Sequence, residues 1–254
     1  MLNQIDIQDI ITIAKEAGNK IMQIYDQDFD VEYKKDNSPL TDADISANKI
    51  IENRLNNLPV KLSILSEEGK DTPYDIRKYW EYFWLVDPLD GTKEFIKKNG
   101  EFTVNIALIH NDIPVLGVVY APALDVCYWA KQGEGAFKDG EKLPLKSGKQ
   151  RNTCKIVASR SHMSSDTEEF IESIGSDKKK ELVFIGSSLK ICLVAEGEAD
   201  IYPRLGPTME WDTGAAHAVC LEAGVKFKIY DLEGGNTDFM YNKESLLNKW
   251  FIVK

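Results

Sequence analysis

Histidine and cysteine, the side chains that most often bind zinc and iron, are scarce in this sequence. Its 254 residues include 3 histidines and 4 cysteines, and no two cysteines form a Cys-x-x-Cys pair. A structural zinc site and a disulfide framework are therefore not expected. A histidine-rich zinc or iron centre is disfavoured for the same reason.

Positive charge and long apolar runs are also in short supply. The formal net charge is −10, so the field of the whole molecule repels the backbone of a nucleic acid polymer. No apolar run approaches the roughly 18 residues that a membrane-spanning helix needs, and the first residues lack the basic and then apolar pattern of a signal peptide. We therefore expect a cytoplasmic protein with no transmembrane segment, whose small ligands are held by local charges.

The most informative stretch is Asp87-Pro-Leu-Asp-Gly-Thr92, which follows an apolar and aromatic run over residues 82–86. The run predicts a buried strand, and at its end two carboxylates lie close together in sequence. Two such charges repel each other unless a cation neutralises them. A Pro/Gly turn with solvated acids is the alternative. The second acid, the glycine and the hydroxyl that follow favour a metal or phosphate site instead.

Other acidic residues lie at the ends of predicted elements. Glu67 follows a short apolar strand at residues 62–65, a position where glutamates are commonly solvated. Asp44 follows Thr41 in the first turn of a predicted helix, and Asp212 begins a helix of small residues. Helix capping is the alternative for both aspartates, but a helix start also favours a bound anion, with which an acid can share a cation.

The acids at these positions offer oxygen ligands only. Such a set suits Mg²⁺, which prefers carboxylates, water and substrate phosphate. The backbone N–H groups and the hydroxyl of Gly91 and Thr92 suit phosphate oxygens, and Thr92 can orient an attacking water if Asp44 accepts its proton. The candidate ligands are Glu67, Asp87, Asp90 and Asp212.

A different phosphatase mechanism would use the first aspartate of Asp-x-Asp-Gly-Thr as a nucleophile. In this sequence the two aspartates are Asp87 and Asp90, and Pro88 occupies the position of that nucleophile. A covalent aspartyl-phosphate is therefore disfavoured. Direct attack by a water that metal ions activate fits the spacing better.

The two halves of the sequence differ in the order of their predicted strands and helices. The best linker candidate between them is the polar stretch 147–153. Residues 1–148 predict a pair of helices and an antiparallel sheet that carries most of the candidate ligands. Residues 149–254 predict strands that alternate with helices, and they carry Asp212. Predicted helices lie near 5–25, 164–174, 188–195 and 213–222, and predicted strands include 103–109, 115–120, 156–158, 182–185, 199–202 and 225–230.

Four motifs in order resemble those of the lithium-sensitive, magnesium-dependent phosphatases that include inositol monophosphatase. They are Leu40-Thr-Asp-Ala-Asp44, Ser66-Glu-Glu68, Asp87-Pro-Leu-Asp-Gly-Thr92 and Trp211-Asp212-x-x-x-Ala216. The resemblance implies a mixed α/β fold, a layered α/β/α/β/α sandwich, with two or three Mg²⁺ ions. The implied metal ligands are Glu67, Asp87, Asp90, Asp212 and the Leu89 carbonyl, and the implied catalytic residues are Asp44, Thr92 and Glu67.

Further stretches resemble the bacterial 3′(2′),5′-bisphosphate nucleotidases of that family. They are 90–96, Ser159-Arg-Ser-His162, Gly186-Ser-Ser-Leu-Lys190 and Tyr202-Pro-Arg-Leu-Gly206. This resemblance implies hydrolysis of adenosine 3′,5′-bisphosphate (PAP) to AMP and phosphate. It leaves open whether the sulfated nucleotide PAPS is also converted to APS. The implied substrate contacts are Glu67, Leu89, Asp90, Gly91, Thr92, Ser159, His162, Gly186, Lys190 and Asp212.

A bisphosphate carries a second dianion that must be held away from the metal ions. Lys190 and Arg204 are suitable cations, although a single basic residue is more commonly just exposed. An inositol or sugar monophosphatase of the same fold and a non-catalytic Mg²⁺- or nucleotide-binding module are the alternative functions. Because some relatives associate with the inner face of the cell membrane, a peripheral location there is left open.

Overall fold

The computed structural model describes residues 1–27, 29, 31–34, 39–70, 72–144, 152–159, 164–175, 179–230 and 238–254. Its helices are α1 (Ile7–Tyr25), α2 (Asp42–Asn56), α3 (Tyr74–Arg77), α4 (Thr92–Ile96), α5 (Ser165–Ser173), α6 (Leu189–Ala195) and α7 (Gly214–Ala223). Its strands are β1 (Val31–Tyr33), β2 (Pro39–Thr41), β3 (Ser63–Ser66), β4 (Tyr82–Asp90), β5 (Thr103–His110), β6 (Ile113–Ala121), β7 (Val126–Lys131), β8 (Gly135–Lys138), β9 (Glu141–Lys142), β10 (Thr153–Ala158), β11 (Lys179–Phe184), β12 (Tyr202–Arg204), β13 (Phe227–Ile229) and β14 (Phe251–Val253).

A seven-stranded sheet, with the strand order β3-β4-β5-β6-β7-β8-β9, forms the centre of the molecule. The predicted hairpin at 103–120 is confirmed as the antiparallel pair of β5 and β6. The prediction of a purely antiparallel sheet is wrong at one edge, because β3 runs parallel to β4. Parallel neighbours need a crossover rather than a tight turn, and the segment between these strands contains α3.

Both faces of the central part of this sheet are buried, and successive residues of its inner strands mostly contribute to different cores. In β4, Phe83 and Leu85 belong to one apolar cluster, whereas Trp84 and Val86 belong to another. Side chains alternate between the two faces of a strand, so the clusters lie on opposite sides of the sheet. Helices α1 and α2 cover one face and α7 covers the other, which gives the layered α/β arrangement expected.

The second half of the chain adds two small sheets. Strands β10 and β11 pair in parallel, and β14 lies between β12 and β13 in an antiparallel sheet. The predicted helices of this half correspond to α5, α6 and α7. Strand β14 was not predicted: it is only three residues long, and its place between two strands from elsewhere in the chain leaves no local pattern.

The proposed division at residue 148 and most of the linker candidate at 147–153 lie outside the described residues, so both stay predictions. The apolar cluster beneath α7 draws residues from both sides of that boundary. The described part of the chain contains no helix that is long and apolar enough to cross a bilayer.

The approach of α7 to the sheet depends on Gly117 in β6. An ideal Cβ built on this glycine would overlap the backbone of Ala215, lying 2.9 Å from its Cα atom. Only a residue without a side chain therefore lets α7 lie at this height above the sheet. Because Asp212 lies two residues before the start of α7, this contact also helps to set the position of Asp212 relative to the sheet.

We expect Gly117→Ala to lower the free energy of unfolding by about 1–3 kcal/mol, because the added methyl group overpacks a rigid backbone contact. Urea denaturation of the purified variant measures the change. Gly175→Ala is the matched control, since a Cβ at Gly175 would have no atom within 4 Å. Equal stability of the two variants would contradict this account of the helix position.

Candidate functional site

A β-bulge at the end of β4 turns Asp87 and Asp90 toward the same side. Residues three apart on a regular strand point to opposite faces. Here Asp87 pairs with Asn105 and Asp90 pairs with Thr103, so three steps along β4 match two steps along β5. The extra residue in β4 restores a common direction, and Pro88, which has no N–H group to donate, is suited to this irregular position.

Glu67 and Asp212 lie close to Asp87, although they come from separate elements of the fold. The parallel pairing of β3 and β4 places Glu67 beside the end of β4, where its N–H group donates to the Val86 carbonyl at 3.1 Å. Asp212 comes from the turn before α7, in which its Oδ2 accepts the Met209 N–H group at 2.8 Å. Carboxylate oxygens of Glu67, Asp87 and Asp212 all lie within 4.8 Å of one another.

This concentration of buried negative charge shifts the pKa values of the acids upward. Burial, followed by repulsion from neighbouring carboxylates, raises the pKa of Asp87 and of Asp212 well above the usual range. Burial also raises the pKa of Asp90, although Lys190 and hydrogen bonds from Ser188 oppose the shift. A divalent cation bound by these hard oxygen ligands would remove the repulsion, so the residues present fit a metal centre.

One lysine already compensates part of this charge. The ammonium group of Lys34, just after β1, lies 2.8 Å from a Glu67 oxygen and also contacts Glu68. Burial raises the pKa of Glu67, and Lys34 limits the rise. Lys34 could not be predicted from the sequence, because a lone lysine in a polar stretch gives no sign of a partner 33 residues further along the chain.

Asp44 takes part in the capping of α2 and also contacts Thr92. The capping role and the proposed catalytic role are therefore compatible. Its Oδ2 accepts the N–H group of Thr41 at 2.8 Å and the Thr41 hydroxyl at 2.6 Å, completing a capping box. Its Oδ1 accepts the Thr92 hydroxyl at 3.1 Å. That hydroxyl also lies 3.4 Å from the Leu89 carbonyl. Burial raises the pKa of Asp44.

A cavity of about 280 Å³ brings the acids together with the basic residues. Burial lowers the pKa of Lys190 to about 8, against the attraction of Asp90. The guanidinium group of Arg204 donates to the Pro207 carbonyl at 2.7 Å. The predicted site residues that line this cavity are Glu67, Asp87, Leu89, Asp90, Gly91, Thr92, Ser159, Lys190, Arg204 and Asp212.

Two predicted substrate contacts are not among the described residues that line the cavity. Gly186 is buried and is not part of the described lining; an ideal Cβ at this position would lie 2.6 Å from the Glu101 carbonyl oxygen and 2.8 Å from the Glu94 Cγ atom. This close packing accounts for the glycine, and its contact with a nucleotide stays a prediction. His162 lies outside the described residues.

Glu210, which lies two residues before Asp212 in the sequence, is not among the described residues that line the cavity. Glu210 has no exposed surface, and its carboxylate accepts the Lys243 ammonium group at 2.5 Å and the Asn242 N–H group at 2.7 Å. Burial raises the pKa of Glu210, and Lys243 opposes the rise. Glu210 thus anchors the turn before α7 to the C-terminal segment, while Asp212 faces the cavity.

Without divalent cations, the protein should be more stable at mildly acidic than at neutral pH. The folded-state pKa values of Asp87, Asp90 and Asp212 are raised, so the folded state keeps protons that the unfolded chain releases near pH 4. This contribution is complete below about pH 4 and is lost as the pH rises through the raised folded-state values. Thermal unfolding in EDTA at several pH values measures it.

The matched control for that experiment is Asp87→Asn, which removes one repelling charge with little change in shape. The difference in Tm between variant and wild type should grow in favour of the variant as the pH rises. A difference that stays constant or reverses would show that repulsion at Asp87 does not limit the stability of the metal-free protein.

Comparison with known proteins shows the family to which this chain belongs. The model of the inositol monophosphatase family matches residues 3–252. The 3′(2′),5′-bisphosphate nucleotidase CysQ of Salmonella typhimurium is 46% identical over 252 residues, covering 97% of this chain and 98% of the relative. The CysQ protein of Escherichia coli strain K12 is also 46% identical over 252 residues, with the same coverage. None of these comparisons supports the peripheral membrane location left open above.

Two solved structures share the fold of this chain. The crystal structure of CysQ from Bacteroides thetaiotaomicron, described as a bacterial member of the inositol monophosphatase family, superposes with a TM-score of 0.87 at 45% identity. It covers 98% of this chain and 96% of that one. A staphylococcal inositol monophosphatase-1, solved as a LiCl-soaked inhibitory complex, shares the fold with a TM-score of 0.80 at 23% identity, covering 100% of this chain and 90% of that one. This protein therefore belongs to the inositol monophosphatase family.

Proposed function

We propose that the protein is a 3′(2′),5′-bisphosphate nucleotidase, which hydrolyses the 3′-phosphate of adenosine 3′,5′-bisphosphate to AMP and phosphate. The supporting observation is a single cavity that unites the acidic cluster with Lys190 and Arg204. Two phosphates of one ligand need two binding places, and this cavity offers acids that can hold cations at one and basic side chains at the other. The 46% identity to CysQ nucleotidases over nearly the whole chain supports the same assignment.

The acidic side of the cavity would hold the metal on which the family depends. We propose Mg²⁺, in two or three copies, because the donors are all oxygen atoms. The residues that would hold it are Glu67, Asp87, Asp90, Asp212 and the Leu89 carbonyl. Bound Mg²⁺ would neutralise the negative charge that develops on the phosphate and on the leaving oxygen, and it would lower the pKa of water so that a nucleophile is available near neutral pH.

Thr92 and Asp44 would orient and deprotonate the attacking water. An ionised carboxylate only accepts hydrogen bonds, so the Thr92 hydroxyl proton points to Asp44 Oδ1, 3.1 Å away. The lone pairs of the Thr92 oxygen are then free to accept a proton from a water in the cavity. Since Thr41 holds the other oxygen of Asp44, the carboxylate keeps this orientation while the proton moves from water to Thr92 and from Thr92 to Asp44.

The basic side would hold the second phosphate. Lys190 lies at the start of α6 and Arg204 at the end of β12, and both line the cavity with Ser159 and Tyr202. Ammonium and guanidinium groups form strong, charge-assisted hydrogen bonds to phosphate. We propose that these two cations, with the predicted contacts at His162 and Gly186, distinguish a nucleoside bisphosphate from a monophosphate.

Thr92→Val should lower kcat by about 10²–10⁴-fold, the usual contribution of a positioned acid–base pair. Steady-state kinetics with the bisphosphate substrate measures the loss. Mg²⁺ affinity, measured by calorimetry, should stay close to that of the wild type, because the hydroxyl is not among the proposed ligands. Thr12→Val on the exposed side of α1 is the control. A variant at Thr92 with full activity would remove this residue from the mechanism.

Lys190→Ala should raise the KM for adenosine 3′,5′-bisphosphate by about 10–100-fold, in proportion to a lost charge-assisted contact. The KM for a 3′-monophosphate should change much less. Assays of both substrates, with Lys142→Ala as a surface control, give the comparison. Equal effects on both substrates would show that Lys190 does not hold the second phosphate.

A substrate panel tests the function as a whole. The wild-type enzyme, assayed with and without EDTA, should prefer adenosine 3′,5′-bisphosphate over inositol and fructose phosphates. A preference for an inositol or sugar phosphate would instead indicate a monophosphatase of the same family. Binding without turnover would indicate a non-catalytic module. The same panel, extended to PAPS, decides whether that nucleotide is a second substrate.

A further inference from the structure

Ser188 connects two of the candidate metal ligands that come from different halves of the chain. Its backbone N–H group donates to Asp90 Oδ2 at 2.6 Å, and its Oγ lies 2.8 Å from the same oxygen. The Oγ also lies 2.7 Å from the backbone carbonyl of Asp212. Ser188 is 2% exposed, so water does not compete effectively for these contacts.

Asn105 limits the acceptors to which the Ser188 hydroxyl can donate. The Asn105 Nδ2 group donates to Ser188 Oγ at 2.9 Å and lies 3.4 Å from Asp90 Oδ2. With one lone pair taken by Asn105, the single hydroxyl proton is shared between the Asp90 carboxylate and the Asp212 carbonyl. Asn105 is itself 1% exposed and sits on β5 opposite Asp87.

This arrangement determines how Asp90 is presented to the cavity. Its Oδ2 is occupied by donors from Ser188 and Asn105, so the carboxylate offers Oδ1 to a cation. The same serine ties the end of β4 to the turn that carries Asp212, which otherwise belongs to a separate layer of the fold. Hydrogen bonds of this kind orient metal ligands and commonly change metal affinity when removed.

We propose that Ser188 is a positioning residue that sets the orientation of Asp90 and its separation from Asp212, with Asn105 holding the serine hydroxyl in place. The inference rests on the proposed metal-dependent function of this site. It differs from a purely structural role in one measurable way. A structural hydrogen bond contributes to stability alone, whereas a positioning contact also contributes to the affinity for Mg²⁺.

The test is a calorimetric titration of Mg²⁺ alone into the full-length protein, with Tm measured on the same samples. Ser188→Ala should weaken Mg²⁺ binding by about 10-fold or more. Asn105→Ala keeps the serine and should weaken Mg²⁺ binding by a smaller factor. This variant provides the test if Ser188→Ala folds poorly. The matched control is Thr103→Val, since Thr103 is buried on the same strand and its hydroxyl has no partner among the described residues.

Weaker Mg²⁺ binding in both variants, with the control unchanged, would support the proposal. Affinities within about twofold of the wild type, whatever the change in Tm, would overturn it. Turnover of adenosine 3′,5′-bisphosphate by the wild type is measured separately. If the wild type binds Mg²⁺ and the variants bind it less well but no nucleotide is hydrolysed, the proposed function fails while the positioning role of Ser188 stands.

Discussion

Repulsion among buried carboxylates is the constraint on which the rest of the site depends. Asp87, Asp90 and Asp212 are brought together by backbone geometry, and burial and mutual repulsion raise the pKa values of Asp87 and Asp212. Acids held this way without a cation destabilise the fold. The central sheet can bear that cost because both of its faces are packed with apolar side chains.

The cavity is polarised in a way that the net charge of the molecule does not indicate. A chain with net charge −10 repels a phosphorylated ligand at long range. Inside the cavity the field is different, because Lys190 and Arg204 lie in the same space as the acids. The proposed Mg²⁺ ions would also neutralise the negative charge of the acidic side. Attraction of a bisphosphate is thus a local property, produced where two layers of the fold meet.

Several side chains at this site have more than one structural task. Asp44 caps α2 with one oxygen and accepts the Thr92 hydroxyl with the other. Ser188 bonds to the carboxylate of one acid and to the backbone of another. Glu210, two residues from Asp212, is fully buried, and its charge is balanced by Lys243. Proximity in sequence to a functional acid therefore does not by itself make a residue functional.

The sequence by itself determined which residues are candidates for the chemistry and most of the elements that hold them. Acids at the ends of apolar runs, a glycine followed by a hydroxyl, and the periodicity of helices and buried strands are local patterns, so the motif at 87–92 and the helices could be read directly. Only the tertiary structure decided which acids share a face, because the bulge in β4 and the parallel pairing of β3 depend on partner strands. It also decided the contacts of Lys34 and Ser188, whose partners lie 33 and 98 residues away. Such contacts exist only once the chain has folded, and no local pattern encodes them.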